Sequence, residues 1–210
     1  MYFLTDKLEF PSVENASEEG IVAVGGDLSP ERLLLAYQKG IFPWFDEDSI
    51  IMWWSPDPRM VLFPEKLRIS KSMKQLLRKQ EFRVSFNENF KEVITQCSLI
   101  EREGQEGTWI TKDMIEAYCT LHKMGYAASV EVWKEDELVG GLYGVDLGNG
   151  VFCGESMFSK ISNTSKIAFI HLVEQGNYRL IDCQIYTPHL QSLGAEEIPR
   201  NRFLELLEKS

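Results

Sequence analysis

The sequence predicts an α+β fold in which a central, mostly antiparallel sheet is flanked by helices. Three observations predict it. Apolar residues alternate with a period of two along 127–133, 137–146 and 151–158, which is typical of neighbouring strands. Short turn-forming runs, 134–137 and Asn149-Gly150, join these strands into a meander. Apolar residues at helical spacing occur both before and after the meander, so helices are expected to pack on the sheet.

The first 62 residues are expected to form a small N-terminal α/β lobe. Ser29 followed by Pro30 is a helix start, and Gly40 is the expected end of that helix. The stretch from Phe42 to Pro58 is dense in aromatic residues and prolines, which excludes a long helix. It is expected to form loops and short strands.

Residues 63–210 are expected to form the second domain. Its first three helices are predicted to be capped by Ser70, Asn87 and Thr111. After the meander come a helix at 163–175, a strand at 179–187 and a last helix at 199–209. Three strands, helix, strand and helix behind a helical lead-in outline the acetyltransferase-like (GNAT-like) fold. The run Lys160–Lys166 lacks a Gln/Arg-x-x-Gly-x-Gly/Ala pyrophosphate loop, which argues against coenzyme A as the acyl donor.

Composition indicates a cytoplasmic globular protein. Of the 210 residues, 44% are hydrophobic and 26% are charged, which is ordinary for such proteins. No signal peptide is visible at the N-terminus, and no apolar run reaches the length of a membrane span. The four cysteines and three histidines lack metal-ligand spacing, so neither a metal nor another cofactor is expected.

The charge of the chain is uneven. The net charge is −10, yet the segment from Pro64 to Arg83 carries +5. Such a segment is either a solvated helix face or a local phosphate-binding patch. The residues expected to contact a nucleic-acid backbone are Lys66, Arg68, Lys71, Lys74, Arg78 and Lys79.

Polar residues inside apolar, strand-like runs mark a candidate active site. Asp182 and Gln184 are two residues apart, so on a regular strand both side chains leave the same face. Glu155 follows Gly154, which permits a bulge that would turn Glu155 toward the same cavity. Burial of a carboxylate is costly unless it is paired. A carboxylate and an amide walled by apolar residues suit a reaction between an amine and a carbonyl.

Runs spread over residues 10 to 203 resemble the leucyl/phenylalanyl-tRNA–protein transferase family. They occur in that family's order: Gly25-Gly-Asp-Leu-Ser-Pro30, Tyr37-Gln-Lys-Gly-Ile-Phe-Pro-Trp-Phe45, Trp53-Trp-Ser-Pro-Asp-Pro-Arg59, Gly107-Thr-Trp-Ile-Thr111, Leu138-Val-Gly-Gly-Leu-Tyr-Gly144, Phe152-Cys-Gly-Glu-Ser-Met-Phe-Ser159 and Leu180-Ile-Asp-Cys-Gln184.

The resemblance implies transfer of Leu or Phe, and less well Met, from aminoacyl-tRNA to proteins that begin with Arg or Lys. It implies catalytic roles for Asp182, Gln184 and Glu155, with Asp182 either a base or only an orienting charge. Trp44 and Trp109 would stack on the 3′-adenosine of the tRNA. An apolar pocket would hold the aminoacyl side chain, lined by Leu142, Phe152, Met157, Phe169, Leu172 and Ile181.

Two other functions are compatible with the sequence. One is a small-molecule N-acyltransferase that uses acyl-CoA on the same scaffold. The other is a non-enzymatic module that binds aminoacyl-tRNA or protein N-termini. No oligomer signal is present in the sequence, so a monomer is expected.

Overall fold

The N-terminal part of the chain forms a four-stranded sheet with one helix. The computed structural model describes residues 1–100 and 108–208. The strands lie in the order β1-β2-β4-β3, and helix α1 (Pro30–Gln38) follows β2. Their bounds are β1 (Phe3–Leu4), β2 (Ile21–Gly25), β3 (Phe42–Pro43) and β4 (Met52–Trp54).

A seven-stranded sheet organises the rest of the described chain, in the order β11-β5-β10-β9-β8-β7-β6. Neighbouring strands are antiparallel except for β9 and β10, which are parallel. The predicted fold class is therefore confirmed. The strands are β5 (Arg59–Leu62), β6 (Arg83–Phe86), β7 (Ala127–Lys134), β8 (Glu137–Asp146), β9 (Val151–Ser159), β10 (Leu180–Gln184) and β11 (Glu196–Ile198).

Helices cover both faces of this sheet, because successive strand residues belong to different core clusters. Leu142 packs with the cluster that contains helix α5, whereas Tyr143 packs with the cluster of α3 and α4. Two single-turn 3₁₀ helices lie at Val13–Asn15 and Pro64–Lys66. The helices after α1 are α2 (Lys71–Arg78), α3 (Phe90–Ser98), α4 (Lys112–Lys123), α5 (Thr164–Gln175), α6 (Pro188–Ser192) and α7 (Arg200–Glu208).

Several element predictions need correction. Helix α3 is capped by Asn89, whose side chain accepts from the Glu92 N–H. Asn87, the predicted cap, instead has a φ of 58° and accepts from the Ser129 N–H. The strand predicted at 179–187 ends at Gln184. Strands β6 and β11 and helix α6 were not predicted, and Lys209, the predicted end of the last helix, lies outside the described residues.

The domain boundary near residue 62 stays a prediction. Strand β5, at 59–62, pairs with β10 and β11 of the larger sheet. One core cluster also joins both parts of the chain, since it contains Tyr37 and Trp53 together with Tyr118 and Phe203. Among the described helices, none is both long enough and apolar enough to cross a bilayer.

Candidate active site

A cavity of about 450 Å³ lies where the pairing of β9 and β10 ends. The parallel register stops at Cys153 and Asp182, and residues just beyond this point on both strands line the cavity. The wall contains all the residues predicted for catalysis, for the side-chain pocket and for stacking: Trp44, Trp109, Leu142, Phe152, Glu155, Met157, Phe169, Leu172, Ile181, Asp182 and Gln184.

One part of the cavity wall is apolar. Strands β8, β9 and β10 contribute side chains from the sheet face that α5 covers, and α5 adds two of its own. All of them are buried except Met157, which is partly buried. The six predicted pocket residues are therefore neighbours in space: Leu142, Phe152, Met157, Phe169, Leu172 and Ile181.

Glu155 occupies a bulge in β9. In the antiparallel register, Ser156 lies opposite Tyr143 and Gly154 lies opposite Gly144, so Glu155 has no partner on β8. The bulge expected from Gly154 is present, and it turns the carboxyl group into the cavity wall.

Neutral groups surround the Glu155 carboxyl group. The Tyr118 hydroxyl donates to Oε2 at 3.1 Å, and Gln184 Nε2 donates to Oε1 at 2.7 Å. The hydroxyls of Tyr37 and Tyr118 hydrogen-bond to each other. These hydrogen bonds to the carboxyl group therefore come from neutral donors and not from a lysine or arginine.

Burial raises the pKa of Glu155 to about 7, even though hydrogen bonds from Tyr37, Tyr118 and Gln184 favour the charged form. The negative charge of Asp182 raises the pKa further. A pKa near neutral pH is the value that suits a general base or acid.

Asp182 is fully buried and is paired with Arg59. Arg59 Nε donates to Oδ1 at 2.8 Å and Arg59 Nη2 donates to Oδ2 at 2.7 Å. Oδ1 also accepts from the Gln184 N–H at 3.0 Å. With both oxygens engaged and a guanidinium beside them, this carboxylate has the geometry of an orienting charge rather than of a free base.

Gln184 departs from regular strand geometry. Its φ is 63°, in the left-handed region that most residues avoid, and the pairing of β10 with β5 shifts between Asp182 and Gln184. The simple period-two argument therefore fails at this point. The next residue, Ile185, is 41% exposed at the cavity.

The two predicted stacking residues lie in segments that border the cavity. Trp44 follows β3, is half-buried and has its ring 5.4 Å from that of Trp54. Trp109 precedes α4 and is 8% exposed. Gly107, the first residue of the Gly107–Thr111 run, lies outside the described residues.

The predicted backbone-binding residues are all exposed. Lys66 pairs with Glu196, and Lys79 pairs with Glu81 at 3.5 Å. Among the described residues, Lys71, Lys74 and Arg78 form no such ion pair. These three follow one another along α2 at helical spacing.

Three further residues of the site were not singled out from the sequence. Arg59 pairs with Asp182, and Tyr37 and Tyr118 form the hydrogen-bonded hydroxyl pair at Glu155. Tyr37 and Arg59 belong to the Tyr37–Phe45 and Trp53–Arg59 runs that carry the family resemblance, and this was the signal that could have identified them. Nothing local in the sequence connects them to Glu155 or Asp182.

The cysteines beside the site are poor nucleophiles. Burial, reinforced by the charge of Asp182, raises the pKa values of Cys153 and Cys183 well above the usual range of a thiol. Across the described ranges, no three His, Cys, Asp or Glu side chains are grouped so that they could hold a metal ion.

Comparison with known proteins gives consistent matches along the chain. Residues 61–208 match the family described as leucyl/phenylalanyl-tRNA protein transferase, and residues 26–57 match the N-terminal domain of that protein. The leucyl/phenylalanyl-tRNA--protein transferase of Flavobacterium johnsoniae is 61% identical over 99% of both chains. That of Syntrophobacter fumaroxidans is 54% identical over 100% of this chain and 91% of its own. A GCN5-related N-acetyltransferase from Kribbella flavida shares 10% identity over 78% of this chain and 58% of its own, with a TM-score of 0.37.

Proposed function

The chain belongs to the leucyl/phenylalanyl-tRNA–protein transferase family, and from this premise we propose that it moves Leu or Phe, and less readily Met, from aminoacyl-tRNA to the α-amine of proteins that begin with Arg or Lys. The observation that carries the proposal is the cavity, in which an apolar pocket adjoins a carboxyl group of pKa about 7. The enzyme acts as a cytoplasmic monomer without a cofactor, and its products are marked for proteolysis.

The apolar part of the cavity accepts the aminoacyl side chain. Its buried Phe, Leu and Ile walls match the chemistry of Leu and Phe. Because one methylene contributes only about 1–3 kcal/mol to discrimination, Ile and Val are excluded by shape, through clashes of their β-branches. Trp44 and Trp109 stack on the terminal adenosine, and each base stacked on an aromatic ring contributes about 1–3 kcal/mol.

Glu155 takes the proton that the incoming α-ammonium must lose. The pKa of an α-amine is roughly 8, close to the pKa of about 7 of Glu155, so the transfer requires little energy. The neutral amine then attacks the ester carbonyl carbon, a C–N bond forms, and the C–O bond to the 3′ oxygen breaks. The proton held on Glu155 passes to that oxygen as it leaves, and the nitrogen releases its second proton to solvent, so that a neutral amide and a free 3′ hydroxyl result.

Gln184 and Asp182 hold the reacting groups in place. One N–H of the Gln184 amide is committed to Glu155, which leaves the second N–H to donate to the ester oxygen as negative charge develops there. Asp182 fixes the Gln184 backbone and adds an orienting charge, without accepting the amine proton itself.

The function is tested by transfer of radiolabelled leucine from charged tRNA to a peptide that begins with Arg, beside a matched peptide that begins with Ala. We expect label on the Arg peptide alone. No label on either peptide, with charged tRNA still bound, would favour the binding module. Neither label nor tRNA binding, together with binding of coenzyme A, would favour the acyl-CoA enzyme.

Binding of tRNA is expected to depend steeply on salt through α2. Each phosphate contact contributes about 0.7–0.9 to the slope of log K against log salt. Replacing Lys71, Lys74 and Arg78 with Ala should therefore lower the magnitude of that slope by about 2 between 50 and 200 mM salt. The control replaces three exposed lysines of other elements, Lys91, Lys123 and Lys134. An equal slope for both triple variants would show that the tRNA backbone binds elsewhere.

A further inference from the structure

We propose that Arg59 is a positioning residue for aminoacyl transfer, holding Asp182, and through it Gln184, in the reactive arrangement; this inference rests on the proposed function. Arg59 is 1% exposed and lies outside the cavity wall. It therefore acts through its partners rather than by touching either substrate.

Four elements converge on the Arg59 guanidinium. Strand β5 carries it, and β10 supplies Asp182, which accepts from Nε and Nη2 at 2.8 and 2.7 Å. The guanidinium carbon lies 4.8 Å from the ring centroid of Phe42 on β3 and 4.6 Å from that of Phe203 on α7. A planar, charged group held by a two-point ion pair and by two rings has little freedom to move.

Two further hydrogen bonds connect the ion pair of Arg59 and Asp182 to Glu155. Asp182 Oδ1, fixed by Arg59, accepts from the Gln184 N–H at 3.0 Å and so supports the left-handed backbone of Gln184. That backbone directs Gln184 Nε2 to Glu155 at 2.7 Å. If Arg59 were displaced, Asp182 would no longer be held in place. The Gln184 amide would then lose its orientation toward Glu155.

Arg59→Lys keeps the positive charge but removes the fork that fits both carboxylate oxygens. We expect kcat to fall by about 30- to 100-fold, because small displacements of positioned groups cost up to about 10²-fold. KM for aminoacyl-tRNA should stay within about threefold, since the residues that hold the aminoacyl and adenosine groups are untouched.

Arg32→Lys is the matched control. Arg32 is also 1% exposed, pairs with Asp27 at 3.3 Å and donates to the carbonyls of Thr5 and Lys7. It lies outside the cavity wall. Both lysine variants should unfold at lower urea concentration than the wild type, but only Arg59→Lys should lose kcat per folded molecule.

A double-mutant cycle with Asp182→Asn tests the connection. If Arg59 acts through Asp182, Arg59→Lys should lower kcat less than threefold in the Asp182→Asn background. Additive losses, or wild-type kcat in folded Arg59→Lys, would overturn the inference. An inactive wild-type enzyme would instead overturn the proposed function. If Arg59→Lys does not fold, Phe203→Leu removes one ring contact; a three- to tenfold lower kcat supports the inference, and an unchanged kcat overturns it.

Discussion

An Asp182→Asn variant is expected to lose about 10²- to 10³-fold in transfer rate and about 3–5 kcal/mol in the free energy of unfolding. The stability loss follows because removing one partner of a buried ion pair leaves the other charge uncompensated, and here that charge is the guanidinium of Arg59. The rate loss follows because the amide NH2 that replaces Oδ2 is a donor and faces Arg59 Nη2, which is also a donor. The two-point ion pair is then broken, and the side chain whose Oδ1 accepts from the Gln184 N–H is no longer held in place.

The two effects are separated by measuring kcat on the folded fraction, with folding followed by urea denaturation of the same preparation. Asp146→Asn is the control, because Asp146 accepts from the Tyr178 hydroxyl at 2.9 Å and the Gly148 N–H at 2.8 Å outside the catalytic cavity. It should retain the wild-type kcat. Full activity in folded Asp182→Asn would contradict the role given to this carboxylate.

Local signals explain the parts of the fold that the sequence predicted. Strand β8 occupies the predicted residues, 137–146, because its run is apolar and a turn stands at each end; its residues from 138 to 145 are all buried, so both faces of the strand are covered. Strand β6 was missed because its four residues, Arg83–Phe86, are held as a strand by pairing with β7, some 45 residues later. Strand β11 likewise depends on β5. Short strands of this kind are defined by distant partners and carry little periodicity of their own.

The candidate site likewise contains features that a local sequence signal predicts and features that depend on distant residues. The bulge at Glu155 could be predicted, because Gly154 is a local signal for it. The left-handed backbone of Gln184 could not, because it depends on Asp182 and, 123 residues away in the chain, on Arg59. The hydroxyl of Tyr118 belongs to a residue that helical spacing identifies only as facing inward. Which polar group its hydroxyl meets is a property of the tertiary structure.

Glu155→Gln is expected to lower the transfer rate by about 10²- to 10³-fold and to remove a step in its pH dependence, since general acid–base groups contribute roughly 10²- to 10⁴-fold. In the wild type, the active form of Glu155 is the carboxylate. Because its pKa is about 7, the rate should rise with pH up to about 7 and then level off. The amide has no such titration. A Gln variant with the wild-type pH profile would show that another group accepts the proton.

Stability should move in the opposite direction to activity in this variant. The folded protein raises the pKa of Glu155 from 4.5 to about 7, so the protonated form is favoured by folding. The stabilisation it gives is complete below pH 4.5 and is lost as the pH rises through 7. At pH 8 the buried carboxylate is therefore destabilising, and Glu155→Gln removes it. The free energy of unfolding of the variant, measured by urea denaturation, should exceed that of the wild type by about 1–3 kcal/mol.

Glu131→Gln is the control that makes this result specific. Glu131 is fully buried on β7 and accepts from the hydroxyls of Ser85 and Ser129 and from the N–H groups of Glu88 and Asn89. The hydrogen bonds of its carboxylate thus come from neighbouring strand and loop residues, and Glu131 lies outside the cavity wall. The amide should cost stability there and leave kcat unchanged. If the free energy of unfolding rises in Glu155→Gln and falls in Glu131→Gln, the Glu155 carboxylate serves catalysis and the Glu131 carboxylate serves folding. If it falls in both variants, Glu155 also serves the fold.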